Sequence, residues 1–303
     1  MLNNLPNKVR IVEVGPRDGL QNEKTIVDLQ DKVIFIQKLI AAGLVNIEAT
    51  SFVRKEKIPQ MGDSRELFNS IKESNVNLIS LVPNLKGMEE AISVGVKEIA
   101  VFTSTSNTFN KKNINSTIDE SLLKIEEVMT LALKNKIRVR AYISTAFGCP
   151  YEGETSVAEF IRIAHFMQKN GAYEVSIGDT IGVAHPLQIK SFISEIKKEF
   201  SLNYFSMHFH DTKGMALANV LTSLELGITS FDSSAGGLGG CPYALGALGN
   251  VATEDLVYLM HSLKIETGVD MKKLVEASIF IFQKLGKESS SKYLRAYLSQ
   301  CKA

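Results

Sequence analysis

The repeating unit of the chain is clearest in residues 9–50, VRIVEVGPRDGLQNEKTIVDLQDKVIFIQKLIAAGLVNIEAT. The β-branched run Val9–Val14 predicts a strand. Asp28–Ala42 places its leucines, valine and isoleucines on one stripe, which predicts an amphipathic helix. Gly43 is typical of a helix C-terminus, and Val45–Ala49 predicts the next strand. The order of strand, helix and strand predicts a βαβ unit.

The same alternation continues along almost the whole chain. Further strands are predicted at Asn77–Val82, Glu98–Thr103, Arg138–Ser144, Tyr173–Ile177, Tyr204–Phe209 and Ser230–Ser233. Further helices are predicted at Ser64–Ser74, Leu85–Val94, Ser116–Lys134, Ser156–Gln168, Pro186–Phe200 and Met215–Leu226. Eight strands spaced roughly 30 residues apart predict an α/β protein with a (β/α)8 TIM barrel. A doubly wound sheet is the alternative, although no G-x-G-x-x-G follows the first strand.

Beyond the eighth strand the pattern becomes helical. Helices are predicted near Thr253–Leu263 and at Met271–Leu285, followed by a polar tail, Lys287–Ala303. No Pro/Gly/Ser-rich linker divides the chain. We therefore predict a single catalytic domain over residues 1–303, with a helical C-terminal extension from residue 253 onward.

Composition excludes several classes of protein. The 34 Lys+Arg and 33 Asp+Glu leave a net charge of +1, which provides no strong overall field for nucleic acid or an anionic membrane. Apolar runs such as Ile99–Phe102 are far shorter than the roughly 18–20 residues of a membrane span, and we recognise no targeting segment. Three cysteines indicate a reducing compartment. We expect a cytoplasmic protein that binds neither nucleic acid nor membrane.

A cluster of possible metal ligands follows the predicted strands, at the end of the barrel that carries catalytic residues. His208 and His210 point to the same side of strand 7 because they are two residues apart. Asp18 follows strand 1, and Asn250 follows strand 8, which lies between strands 7 and 1 in a closed barrel. Such nitrogen and oxygen donors suit Mg²⁺ or Mn²⁺. The alternative for the histidines is a hydrogen-bonded pair in the core.

Other polar residues at the strand ends are candidates for catalysis. Arg17 would stabilise a developing oxyanion if Glu48 fixed its direction, with a surface salt bridge as the alternative. Asp179 is either an acid or base or a turn residue. Cys241 follows the glycine run Gly236–Gly240, which predicts a lid that brings a thiol over substrate; an inert cysteine beyond a flexible turn is the alternative.

Five segments together form a more specific signature. They are Val14–Glu23, Gly148–Gly153, Gly178–Val183, His208–Asn219 and Gly237–Asn250. With them the chain resembles the metal-dependent lyase and Claisen-type synthase superfamily of TIM barrels, in its hydroxymethylglutaryl-CoA lyase branch. The synthases typically have glutamate at the position of Leu20, which favours the lyase branch.

The resemblance implies a role for each matching residue. The implied metal ligands are Asp18, His208, His210 and Asn250. The implied catalytic residues are Arg17, which stabilises an enolate, Glu48, which positions it, and Asp179 and Cys241, which transfer protons. The implied substrate-binding residues are Arg17, Tyr142 and Thr180. Lys111 and Lys112 are candidates for contacts with a coenzyme A tail, with solvated surface lysines as the alternative.

The implied reaction is the retro-Claisen cleavage of (S)-3-hydroxy-3-methylglutaryl-CoA to acetoacetate and acetyl-CoA. It needs a divalent cation, Mg²⁺ or Mn²⁺, and no organic cofactor. The resemblance also implies a homodimer that acts on a CoA thioester in leucine degradation and ketone-body formation. Three alternatives remain: a lyase for a longer-chain homologue of this substrate, a Claisen-type synthase, and an inactive barrel that serves as a binding protein.

Overall fold

The fold is a closed barrel of eight parallel strands paired in chain order, in which β8 also pairs with β1. The computed structural model describes residues 5–240 and 249–300. The strands are β1 Arg10–Glu13, β2 Asn46–Ser51, β3 Asn77–Leu81, β4 Glu98–Ser104, β5 Arg138–Ser144, β6 Glu174–Asp179, β7 Phe205–Phe209 and β8 Ser230–Ser233. Closure of the sheet confirms the predicted (β/α)8 TIM barrel and excludes the doubly wound alternative.

Helices connect the strands and continue beyond the last one. They are α1 Leu29–Ala41, α2 Ser64–Ile71, α3 Leu85–Val94, α4 Asn107–Ile114, α5 Ile118–Lys134, α6 Val157–Lys169, α7 Pro186–Ile196, α8 Ala216–Glu225, α9 Thr253–Ser262, α10 Met271–Leu285 and α11 Lys292–Gln300. The additional C-terminal helices are thus α9, α10 and α11. Among the described residues, none of the helices has the length and apolar character that crossing a bilayer requires.

Local sequence explains where several helices begin and end. Asp28 caps α1 by accepting a hydrogen bond from the backbone N–H of Asp31 at 2.8 Å. Thr117 and Glu120 form a reciprocal capping box at the start of α5. Gly95 ends α3 with φ of 85°, a conformation that glycine adopts without steric cost. These ends agree with the sequence to within two residues.

Two helices are absent from the sequence prediction. α4 is rich in asparagine and lysine, and the hydroxyl of Ser106 caps it through the N–H of Phe109. α11 lies in the predicted polar tail, where Leu294 is its buried residue. Its first turn is capped by a residue of α9, because Asp255 accepts hydrogen bonds from the N–H groups of residues 292 and 293. The apolar stripe of α4 is weak, and α11 is polar on average although its few apolar residues share one face, so neither was recognised in the sequence.

Side chains of each strand alternate between the barrel interior and the surrounding helices. In β5, Val139, Ala141 and Ile143 belong to the large apolar cluster formed with the helices. Arg140 and Tyr142 point the other way and make hydrogen bonds across the barrel. The interior therefore holds charged groups as well as apolar ones, and these groups lie beneath the candidate site.

Candidate active site

The loop after β1 makes one wide helical turn, in which the N–H of Gly19 bonds to the carbonyl of Val14 at 3.1 Å. This turn brings Arg17 and Asp18 to the mouth of the barrel, the edge where the strands end. A Cβ on Gly19 would lie 2.8 Å from the Cβ of Leu238, so the turn passes too close to the loop after β8 for a larger residue.

The predicted metal ligands converge at this mouth. Donor atoms of Asp18, His208 and His210 all lie within 4.8 Å of one another. Asn250 forms a β-bridge with His210 and donates a hydrogen bond to Asp18 Oδ2 at 2.8 Å. The Nδ1 atom of His210 is buried and has no hydrogen-bond partner in the described part of the chain. An unsatisfied buried nitrogen beside a carboxylate fits a divalent cation.

The charge states of these groups are set by burial and by one another. Burial raises the pKa of Asp18, but Arg17 and both histidines lower it more, to about 2. Burial and the neighbouring His208 lower the pKa of His210 to about 4. Burial also acts to lower the pKa of His208, but the hydrogen bond to Asp232 and the negative charges of Asp232 and Asp18 together outweigh it and raise the pKa. Asp18 is thus an anion and His210 a neutral donor, as a metal requires.

Arg17 is held between two carboxylates. Its Nη1 lies 2.7 Å from Asp18 Oδ1, and its Nη2 lies 2.6 Å from Glu48 Oε2. The side chain is 7% exposed, so the alternative of a surface salt bridge is wrong. Burial alone would lower the pKa of the guanidinium, yet Glu48 and Asp18 raise it further above its usual value. Arg17 is therefore a permanently charged group with a fixed direction.

Asp179 and Thr180 lie at the end of β6. The two carboxylate oxygens of Asp179 accept hydrogen bonds from the N–H groups of Val183 and Ala184, so this residue holds the following turn. Burial raises its pKa to about 6. Thr180 accepts a hydrogen bond from the N–H of Thr145 at 2.8 Å and lines the central cavity. The sequence left Asp179 either as an acid or base or as a turn residue. Its hydrogen bonds show that it stabilises the turn.

A cavity of about 700 Å³ opens above these residues. Arg17, Asp18, His208, His210, Tyr142 and Thr180 all line it. Three cationic residues line it as well: Arg54, Lys57 and Lys124. Lys111 and Lys112 do not, and the ammonium of Lys112 instead lies 4.9 Å from the ring centroid of Tyr151. The cavity is therefore lined both by candidate metal ligands and by Arg54, Lys57 and Lys124, and these are not the cations considered in the sequence.

The glycine run after β8 makes hydrogen bonds through both its N–H and its carbonyl groups. The N–H of Gly236 donates to Glu254, and its carbonyl accepts from the hydroxyl of Ser289 at 2.6 Å. The carbonyl of Gly237 accepts from Ser290 at 3.2 Å. The start of the run is therefore fixed by α9 and by the segment before α11, rather than forming a flexible turn. These contacts were missed because they join residues far apart in sequence.

Of the three cysteines, Cys149 lies among the described residues. Cys241, the predicted lid thiol, lies outside the described residues, as does Cys301. Cys149 is buried, and its sulfur lies 3.0 Å from the hydroxyl of Ser106. That placement indicates a structural role for Cys149.

The barrel and the groups at its mouth define an enzyme of the TIM-barrel type with a candidate site for a divalent metal. The family model described as HMGL-like matches residues 8–281. A lyase from Pseudomonas aeruginosa, named 3-hydroxy-3-isohexenylglutaryl-CoA/hydroxy-methylglutaryl-CoA lyase, is 48% identical over 98% of this chain and 99% of its own. The chain belongs to the HMGL-like family, and its class is that of the carbon–carbon lyases.

Solved structures agree with this assignment. The crystal structure of hydroxymethylglutaryl-CoA lyase from Pseudomonas aeruginosa matches with a TM-score of 0.95 and 48% identity, covering 98% of this chain and 99% of that one. An HMG-CoA lyase from Acinetobacter baumannii, solved with coenzyme A and 3-methylmalate, matches with a TM-score of 0.91 and 36% identity. The match covers 96% of this chain and 95% of that one.

Proposed function

We propose that this protein is a hydroxymethylglutaryl-CoA lyase that cleaves (S)-3-hydroxy-3-methylglutaryl-CoA (HMG-CoA) to acetoacetate and acetyl-CoA. The proposal rests on one observation: the buried, fixed guanidinium of Arg17 and the candidate metal ligands Asp18, His208 and His210 line the same cavity. The similarity to lyases over nearly the whole chain supports it.

The proposed metal ligands are Asp18, His208, His210 and Asn250. A divalent cation held there, Mg²⁺ or Mn²⁺, supplies Lewis acidity that orients the substrate and acidifies its tertiary hydroxyl. The donor set supports either ion, because it combines imidazole nitrogens with oxygens. No organic cofactor is needed, because the carbonyl of the thioester accepts the electrons of the broken bond.

The protein groups then have separate tasks. Asp179 is proposed to accept the hydroxyl proton, and loss of that proton drives cleavage of the C2–C3 bond into a ketone and a thioester enolate. Arg17 stabilises the enolate oxygen, with Glu48 holding the guanidinium in position. Cys241 returns a proton to the enolate carbon. Tyr142 and Thr180 complete the substrate wall, which their place at the cavity supports.

The direct test is an assay of the purified protein with HMG-CoA and either Mg²⁺ or Mn²⁺, in which acetoacetate and acetyl-CoA are measured. We expect equal amounts of both products and no activity after treatment with a chelator. Absence of cleavage with both metals would contradict the proposed function. Incubation of the same protein with acetyl-CoA and a 2-oxo acid, with release of free coenzyme A measured, tests the alternative of a Claisen-type synthase.

The coenzyme A tail is proposed to lie along the cavity, with Arg54, Lys57 and Lys124 near its phosphates. All three side chains are exposed, as cations that meet a diphosphate at a cavity entrance need to be. The complex of the Acinetobacter baumannii relative with coenzyme A supports this class of substrate. This assignment replaces the predicted contacts with Lys111 and Lys112.

We expect the double variant R54A/K57A to raise KM for HMG-CoA by about tenfold with little change in kcat. The reason is that phosphate contacts far from the breaking bond are equally strong in the ground and transition states. Steady-state kinetics measure both constants. The matched control is K111A/K112A, which removes the same number of charges outside the cavity. A larger rise of KM in the control would contradict the assignment.

A thiol reagent is expected to inactivate the enzyme by modifying Cys241, and a bound substrate analogue is expected to slow the reaction. The reason is that a lid thiol is exposed in the open enzyme and covered in the closed one. Cys241→Ser should keep the fold and the metal but lose most activity, because a hydroxyl is a much weaker acid than a thiol.

The control for this prediction is Cys301→Ser, which should leave turnover unchanged under reducing conditions. Peptide mapping after partial inactivation identifies the modified thiol. Loss of activity that follows labelling at Cys149 or Cys301, while Cys241 stays unmodified, would show that the lid assignment is wrong.

A longer-chain homologue of HMG-CoA is the second candidate substrate. Apolar side chains line part of the cavity, among them Leu81, Phe102, Ile114 and Ile125. The Pseudomonas aeruginosa relative is named for an isohexenylglutaryl-CoA substrate as well, and this thioester is therefore the longer-chain substrate to test. Comparison of kcat/KM for the two thioesters decides between them.

The remaining assignments concern the biological setting. We propose that residues 1–303 act as one catalytic domain, that two copies form a homodimer, and that the enzyme works in the cytoplasm in leucine degradation. The hydrogen bonds from Ser289 and Ser290 to the glycine run support the unity of the barrel and the C-terminal extension. Light scattering of the purified protein tests the dimer.

A further inference from the structure

The largest fully buried side chain among the residues that the structure describes is a charged one, Arg140. Its Nε donates to Glu174 Oε1 at 2.6 Å, and its Nη2 donates to Asp232 Oδ1 at 2.5 Å. Its Nη1 donates to the hydroxyl of Tyr142 at 2.7 Å. A buried charge is costly unless it is fully paired, and apolar side chains would often stabilise a core as well. The arrangement therefore calls for a role other than stability.

One branch from Arg140 leads to the arginine of the active site. The hydroxyl of Tyr142 accepts from Arg140 and donates its own hydrogen to Glu48 Oε2 at 3.1 Å. The same oxygen of Glu48 lies 2.6 Å from Arg17 Nη2. Because Arg140 satisfies the acceptor side of the Tyr142 hydroxyl, the hydroxyl hydrogen is directed at Glu48. The position of Arg17 thus depends on Arg140 through two buried groups.

The other branch leads to a proposed metal ligand. Arg140 binds both oxygens of Asp232, and Asp232 Oδ2 lies 3.2 Å from His208 Nδ1. Ser176 also donates to Oδ2 at 2.7 Å, so the carboxylate is held from several sides. Since Nδ1 of His208 faces Asp232, its Nε2 faces the mouth, where it lies 4.0 Å from Asp18 Oδ2. A carboxylate behind a histidine fixes the ring and its tautomer.

We propose that Arg140 is a positioning residue that holds Arg17 and His208 in a fixed relation to each other, through Tyr142 and Glu48 on one side and Asp232 on the other. The two branches meet again at the mouth, because Asp18 lies beside both Arg17 and His208. This inference rests on the proposed function. Its chemical sense is that an oxyanion donor and a metal act on one substrate only when their separation is kept within a fraction of an ångström.

The test is Arg140→Lys, which keeps the charge but cannot bridge Tyr142 and Asp232 with a planar fork. We expect kcat at saturating Mn²⁺ to fall by roughly 10- to 100-fold, and the Kd of the apoprotein for Mn²⁺ to rise by roughly tenfold. Electron paramagnetic resonance of free Mn²⁺ measures that Kd without any assay of activity. A folded variant with both values within twofold of wild type would overturn the proposal.

The matched control is Arg10→Lys. Arg10 pairs with Glu174, the same carboxylate that Arg140 binds, and donates to Ser230. Among the described residues it reaches Asp232 only indirectly, through the hydroxyls of Ser230 and Ser206. We expect its kcat and its Kd for Mn²⁺ to stay within about twofold of wild type, because lysine keeps the charge beside Glu174 and Arg10 binds none of Tyr142, Glu48, Asp232 and His208 directly. Equal losses in the two variants would show general disruption of the buried ion pairs, which also overturns the proposal.

If Arg140→Lys does not fold, the branches are tested one at a time. Asp232→Asn should raise the Kd for Mn²⁺ by roughly tenfold, with most of kcat recovered at saturating metal. Tyr142→Phe should lower kcat by roughly tenfold and leave the Kd unchanged. Either variant without its expected change removes that branch and contradicts the proposal. A wild-type protein that binds Mn²⁺ but does not cleave HMG-CoA would instead contradict the proposed function alone.

Discussion

Arg17→Gln is expected to lower kcat by more than about 10³-fold while the protein still binds its metal. Loss of one neutral oxyanion donor commonly costs roughly 10²–10³-fold, and Arg17 contributes a full charge held by two carboxylates. The pKa of Arg17 is raised by Glu48 and Asp18 against the effect of burial, so the charge is present at every working pH. Single-turnover kinetics and the Mn²⁺ content of the purified variant measure the two parts of this result.

The control is Arg54→Gln, which neutralises another arginine that lines the same cavity but is exposed. It should change KM rather than kcat, since its proposed contact is with the distant phosphates. If Arg17→Gln kept kcat within a few-fold of wild type, Arg17 would be a structural partner of Glu48 and the proposed enolate stabilisation would be wrong.

His210→Ala is expected to weaken Mn²⁺ binding and to lower activity at limiting metal, each by more than about 10²-fold. Loss of groups behind a metal ligand costs roughly 10–100-fold, so loss of a ligand itself should cost more. His210 is the most informative of the four proposed ligands, because its buried Nδ1 has no hydrogen-bond partner in the described residues. Among the described residues, the substitution therefore leaves no hydrogen-bond partner of this nitrogen unsatisfied.

His165→Ala provides the comparison, because His165 is an exposed histidine of α6 that pairs with Glu199. It should bind Mn²⁺ and turn over substrate as the wild type does. Calorimetric titration of both variants with Mn²⁺ and Mg²⁺ also shows which ion the site prefers. Retention of the wild-type Kd in His210→Ala would exclude His210 as a ligand and would leave its buried nitrogen unexplained.

Several features of the site could be read from short segments of the chain. His208 and His210 are two apart on a strand, so they necessarily share a face. Asp18 follows β1, and closure of the barrel makes β1 a neighbour of β8, after which Asn250 follows. For these residues, strand order alone predicts that they meet. The structure brings all four together.

Other residues could not be located in this way. Arg140 and Asp232 stand within predicted strands, where a charged side chain is itself a signal of an unusual interior. The two residues are 92 positions apart in the chain and bind each other across the barrel. The cations that line the cavity also differ from those considered in the sequence: Lys111 and Lys112 follow a strand end but do not line the cavity, whereas Arg54, Lys57 and Lys124 do.

The sequence by itself determined the alternation of strands and helices, the family motifs and the residues at each strand end, whereas closure into a barrel was decided by the structure. These depend on local periodicity, on caps and on strand order, and all of them act over short segments. Only the tertiary structure decided which groups pair inside the barrel and which cations reach the cavity. It also showed that Ser289 and Ser290 hold the glycine run. These contacts depend on where side chains from distant strands and helices meet, and periodicity carries no information about that.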